Sequence, residues 1–118
     1  NDLKILEKWI DRGYIIQIDA ASIIGKFGKI AQKTSLEMIK NNFIHLVGSD
    51  AHNSRGRNFC LQECYIFLEN FFSNDLVLFL KNNSKKILNG SDINNLVDLN
   101  KKNNNYASLF KRIMSKLF

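Results

Sequence analysis

Asp50 and His52, two positions apart and just past the apolar run 43–48 (FIHLVG), are the pair in this sequence best suited to metal chemistry. A carboxylate oxygen and an imidazole nitrogen are ordinary donors to Zn2+, Mn2+ or Fe. If extended backbone continues through Ala51, alternation sends both side chains to one side, with their backbones roughly 6 to 7 Å apart. That reach suits one shared ion or two adjacent ones. Asp-x-His alone is also what an Asx turn followed by a surface histidine leaves behind, so its neighbours must decide.

Arg55 and Arg57 follow within five residues of His52, separated by Gly56, in what reads as a loop able to fold back over the strand end. A guanidinium placed there can hold two phosphate oxygens at once. His45 has the opposite strand parity to Asp50 and His52 and reads as a core histidine with a hydrogen bond. Cys60 and Cys64 read as packing thiols on one helix face. No Cys-x5-Arg stretch is present, so a thiolate phosphatase mechanism is excluded, as are the glycine-rich phosphate loops of nucleotide-binding proteins.

These residues need elements to position them. Leu3, Leu6, Trp9 and Ile10 recur at helical spacing up to Gly13, and residues 14–20 (YIIQIDA) then read as a strand feeding a glycine-bearing loop. A second helix through Ile30, Met38 and Ile39 precedes a second strand, 43–48, which is apolar on both faces except at His45. A third helix spans about 59–72, and Ser73 is placed to cap a fourth beginning near Asn74. Alternating β and α units predict adjacent parallel strands joined by a helical crossover, an α/β sheet or barrel. In such folds functional side chains gather at the carboxyl ends of the strands, where Asp50 and His52 stand. From Asn82 the sequence turns polar and asparagine-rich and reads as a surface connector containing a short helical piece, 85–88. Tyr106, Leu109, Phe110, Ile113, Met114 and Leu117 then form the stripe of an amphipathic basic helix.

The 118 residues suffice for one folded domain, and 45% hydrophobic content excludes a disordered chain. The net charge of +6 comes mostly from dispersed lysines, which argues against a nucleic-acid partner. Two cysteines on one helical face are no disulfide framework, so a reducing, cytoplasmic setting is expected. No apolar run is long enough to span a bilayer.

Residues 13–17 (GYIIQ), 21–28 (ASIIGKFG), 45–53 (HLVGSDAHN) and Arg57, taken in this order and spacing, resemble the C-terminal half of the bacterial capsule tyrosine phosphatases of the polymerase and histidinol phosphatase (PHP) superfamily. The resemblance runs from about residue 1 to 88, with 83–88 (NSKKIL) replacing a proline of the family pattern by Ser84. It implies a distorted (β/α)7 barrel, incomplete in this chain, that hydrolyses phosphotyrosine with divalent metal, commonly Mn2+, with Fe or Zn as alternatives. It maps Asp50 and His52 onto metal ligands and Arg57 onto a phosphate contact. The implied partner is a phosphotyrosine protein, in particular a polysaccharide-export tyrosine kinase.

The family's N-terminal His-x-His and further ligands have no match here, so the expectation is a fragment. Residues 1–90 would be the C-terminal part of the barrel, and 91–118 a connector and basic helix able to touch a membrane surface or a partner. Alone, such a piece should turn over poorly and self-associate through its sheet edges into homo-oligomers. Rival readings are another phosphoesterase of the superfamily, such as a histidinol phosphatase or nuclease, and a noncatalytic regulatory piece.

Overall fold

The computed structural model describes residues 2–49, 54–90 and 115. Its elements run α1 (Asp2–Asp11), β1 (Gln17–Asp19), α2 (Ala20–Ile23), α3 (Lys29–Lys40), β2 (Leu46–Gly48), α4 (Ser54–Phe71) and α5 (Asn74–Leu88). The two strands are adjacent and parallel, with Gln17 opposite Leu46, Ile18 opposite Val47 and Asp19 opposite Gly48. That is the expected β-helix-β unit, and both strands therefore end on one edge. Residues 91–114 and 116–118, with the expected terminal helix, lie outside the described residues.

Local chemistry fixes the helix ends. The chain leaves α1 through Gly13 (φ 87°), where Tyr14 N–H reaches back to the Trp9 carbonyl at 3.0 Å and Gly13 N–H to Ile10 at 2.9 Å. Helix α3 closes the same way on Asn42 (φ 67°), with Phe43 N–H on the Met38 carbonyl at 3.0 Å. Asparagine tolerates this left-handed conformation better than most residues. Ser73 caps α5, its hydroxyl accepting from Leu76 N–H at 3.1 Å, as its position predicts. Asp75 near the start of α5 and Lys85 and Lys86 near its end complement the helix dipole.

Helices α2, α3, α4 and α5 share a core with the strands, built from Ile23, Leu36, Ile44, Val47, Cys64, Leu68 and Leu80 among others. Each such aliphatic side chain, fully buried, contributes about 1.5 to 3 kcal/mol. Helix α1 contributes none of the fully buried core residues, and Trp9 and Ile5 on it are 43% and 48% exposed.

Three expectations are corrected. The strands are shorter than 14–20 and 43–48: at their starts the Ile16 N–H donates to the His45 imidazole instead of a strand carbonyl, and β1 ends at Asp19, which caps helix α2 where a last strand residue and a loop were expected. Helix α4 begins at Ser54 instead of near residue 59, so Arg55 and Arg57 are helical, not in a loop. Residues 54–58 (SRGRN) carry no apolar side chain to signal a helix, which is propagated from the packed turns downstream. Helix α5 continues unbroken through Asn82 and Asn83 to Leu88, and Asn83 is wholly buried, so the surface connector does not start there. Among the described residues no helix is long and apolar enough to cross a membrane.

Candidate metal and phosphoester site

The site is framed by the carboxyl edge that β1 and β2 share. Asp19 and Gly48 are the last residues of the two strands and stand opposite each other. Asp50 comes two residues after Gly48 and His52 four after it; both lie outside the described residues. Arg57 is the fourth residue of α4, about one turn in from the start of this helix, which follows β2. Arg57 thus belongs to the element that directly follows the strand end leading to Asp50 and His52.

Two polar residues at this edge were not singled out by sequence pattern. Gln17 is exposed, and its side chain reaches across the pair to β2, so that a Cβ on residue 48 would fall 2.5 Å from Gln17 Nε2. Glycine at 48 is what permits that approach. Asp19 ends β1 and caps α2, its Oδ1 accepting from Ala21 N–H at 2.8 Å. The polar-apolar-polar alternation of Gln17, Ile18 and Asp19 was the available signal: Ile18 packs on the core while Gln17 does not.

The remaining titratable candidates serve structure. His45 is buried; its Nδ1 accepts from Ile16 N–H at 3.0 Å, its own N–H donates to the Ile16 carbonyl at 3.0 Å, and its carbonyl accepts from Asn83 Nδ2 at 2.9 Å. With Nδ1 accepting, the ring is neutral and carries its proton on Nε2. Burial also lowers its pKa, which disfavours the charged form. Cys60 and Cys64 are free and buried, as expected of packing thiols. Burial, reinforced by Cys60 and Asp19, pushes the Cys64 thiol up to about 12, so it holds its proton at neutral pH and is a poor nucleophile and metal ligand.

Among the described residues no three His, Cys, Asp or Glu side chains converge as a metal cluster. Three of the described donors have structural roles: Asp19 in a helix cap, His45 in the strand pair and Cys64 as a protonated thiol. Asp50 and His52, outside the described residues, are a carboxylate and an imidazole, donor types that suit a divalent ion.

Comparison with known proteins bears on the same stretch. Residues 1–89 match the family model described as "Capsular polysaccharide synthesis, CpsB/CapC". The tyrosine-protein phosphatase YwqE of Bacillus subtilis (strain 168) is 37% identical over 89 residues, which make up 75% of this chain and 35% of that protein. CapC of Staphylococcus aureus is 39% identical over 64 residues, 54% of this chain and 25% of its own length. Among solved structures, one from work on YwqE of Bacillus subtilis and CpsB of Streptococcus pneumoniae, described as metal-dependent tyrosine phosphatases, superposes with a TM-score of 0.72 at 36% identity. It covers 78% of this chain and 37% of its own, so the chain spans about a third of the length of these fuller matches.

Proposed function

Because this chain belongs to the CpsB/CapC family of capsular polysaccharide synthesis, we propose that it forms the C-terminal part of a metal-dependent protein-tyrosine phosphatase and supplies Asp50 and His52 as metal ligands and Arg57 as a phosphate contact. The observation that carries this reading is the shared carboxyl edge of β1 and β2, from which residues 50 and 52 emerge within the stretch that matches metal-dependent tyrosine phosphatases. The fold proposed for the whole protein is a (β/α)7 barrel of the PHP type, of which the parallel pair is one β-helix-β unit.

The proposed ion is Mn2+, with Fe or Zn as alternatives, and at least one further donor from outside the described residues completes its shell. When bound, the ion supplies the Lewis acidity that makes water a nucleophile at neutral pH. This chain's residues do the rest. Asp50 and His52 fix the ion's place, while Arg57 grips the phosphoryl oxygens and orients the ester for in-line attack. The start of α4 supports that role. It has no acidic residue in its first turn and carries Arg55 and Arg57, a cationic pair that the helix dipole disfavours by about 0.3 to 1 kcal/mol each unless an anion sits there. A bound phosphoester is that anion.

The proposed substrate is a phosphotyrosine protein, in particular a tyrosine kinase of polysaccharide export. The proposed setting is cytoplasmic, in keeping with two free buried thiols. The exposed Ile5 and Trp9 of α1 are where we place contact with the rest of the protein or a second copy.

The test is phosphate release from a phosphotyrosine peptide by the intact protein with Mn2+. Asp50→Ala and His52→Ala should each remove both bound metal and nearly all turnover, whereas Arg57→Ala should raise KM and leave the metal in place. Full turnover after Asp50→Ala, or equal metal loss in Arg57→Ala, would contradict the assignment.

A further inference from the structure

The loop joining α2 to α3 carries a surface that phosphoester chemistry does not explain. Residues 26–30 (KFGKI) are all exposed, Phe27 at 64% and Ile30 at 85%. Lys26, Lys29 and Lys33 flank these two apolar side chains, and no Asp or Glu occurs from residue 20 to 36. Isolated exposed apolar residues are ordinary. A phenyl ring and a branched side chain three positions apart, set among cations, form a compact patch with both apolar and electrostatic character.

The loop is also pinned. Gly25 (φ 87°) and Gly28 (φ 101°) adopt backbone that favours glycine, and they bracket Lys26 and Phe27. Lys26 N–H bonds to the Ala21 carbonyl at 2.9 Å, Gly28 N–H to Gly25 at 3.1 Å, and Gln32 Nε2 to the Ile23 carbonyl at 3.1 Å. Lys26 further approaches Glu63 of α4, 3.9 Å away. The apolar tips are presented from a preorganised platform, which lowers the ordering cost of binding.

Topology sets which way the patch faces. Helix α2 starts where β1 ends, and α3 must carry the chain back to the start of the parallel strand β2, so α3 begins at the carboxyl edge. Phe27, Lys29 and Ile30 therefore stand on the rim of the edge from which residues 50 and 52 emerge.

We propose that Phe27 and Ile30, with Lys29 and Lys33, form a docking rim for an acidic segment of the substrate protein next to its phosphotyrosine. The proposal rests on the phosphatase reading for the orientation of that segment, and charge complementarity selects its chemistry. A bilayer pressed onto the same rim would cover the edge where the phosphoester must enter, so a peptide is the occupant the geometry favours.

The experiment measures fluorescence anisotropy of a labelled, glutamate-rich peptide with a single tyrosine, phosphorylated or not, titrated with the full chain in the presence of Mn2+. Vesicles with and without phosphatidylglycerol are run in parallel. Phe27→Ser with Ile30→Ser, and separately Lys29→Glu with Lys33→Glu, should each weaken both peptides by about tenfold, while Phe27→Leu with Ile30→Leu preserves binding. Added salt should weaken binding by the wild type more than by the lysine variant. Circular dichroism establishes that the variants fold, as expected for exposed positions. Unchanged affinity in the serine or glutamate variants, or no affinity of the wild type for either peptide, overturns the rim. Loss of vesicle binding with unchanged peptide binding overturns it in favour of a lipid surface. Equal affinity for the two peptides, with rim dependence intact, supports docking and counts instead against the phosphatase reading.

Discussion

Acid should loosen this fold through one histidine. His45 is buried and must stay neutral for Nδ1 to accept the Ile16 N–H, so protonation removes the acceptor and places a charge where burial already lowers the pKa. The sign follows from linkage. The folded pKa lies below the usual 6.5, the unfolded chain binds the proton first, and stability is complete above pH 6.5. It is lost as pH falls from there through the folded pKa, below which it levels off. Between the two pKa values the slope approaches about 1.4 kcal/mol per pH unit for this single group. Carboxylates titrate mainly lower, so guanidinium unfolding measured between pH 5 and pH 7.5, a window on the order of the histidine range, isolates the effect. His45→Asn, whose Oδ1 can accept the Ile16 N–H without titrating, should flatten the profile and keep most of the stability at pH 7.5. His45→Ala should cost about 1 to 3 kcal/mol for the stranded N–H, with a cavity penalty on top. His52→Ala should leave the slope unchanged. An unaltered slope in His45→Asn, or a His45 pKa at or above 6.5 by NMR, would refute the reasoning.

Gly48→Ala should displace the Gln17 side chain at small cost, because the new Cβ meets only the far end of that exposed, flexible side chain, at 2.5 Å, and Gln17→Ala in the same chain should remove what cost there is; a double-mutant cycle of thermal unfolding reads the coupling. Cys64, pushed up to about 12, should resist iodoacetamide in the native protein at pH 8, a condition roughly half a unit below a free thiol's pKa, and react only on unfolding; mass spectrometry of the time course checks this. Cys60→Ser with Cys64→Ser should leave phosphatase turnover of the intact, folded protein nearly unchanged, and an inactive but folded variant would argue for a thiolate role.

Some of this was legible in residue order. The parity of 43–48 assigned His45 to the core with a hydrogen bond, and Ser73 marked the start of α5, because period-two burial and cap chemistry are local properties. Its partner Asn83 was not legible. It sits in an asparagine-rich tract whose composition suggests solvent, and only the approach of α5 to β2 shows that its side chain donates to the His45 carbonyl. The beginning of α4 was hidden because 54–58 lacks apolar residues, so a helical Arg57 resembled a loop arginine. Strand ends were overextended because residue type cannot tell that the Ile16 N–H goes to a side chain. At the candidate site, Asp50, His52 and Arg57 were legible as residue types in order, while the reach of Gln17 over Gly48 depends on strand register, which no single segment encodes.

The central claim, that Asp50 and His52 hold a metal at the carboxyl edge of the strand pair, is tested most directly by titrating Mn2+ into the 15N-labelled chain and following amide signals. Paramagnetic broadening should appear first at Gly48 and Ser49 and at Asp19 opposite, and should vanish in Asp50→Ala with His52→Ala. Broadening that starts elsewhere, or persists in that double variant, would contradict the account.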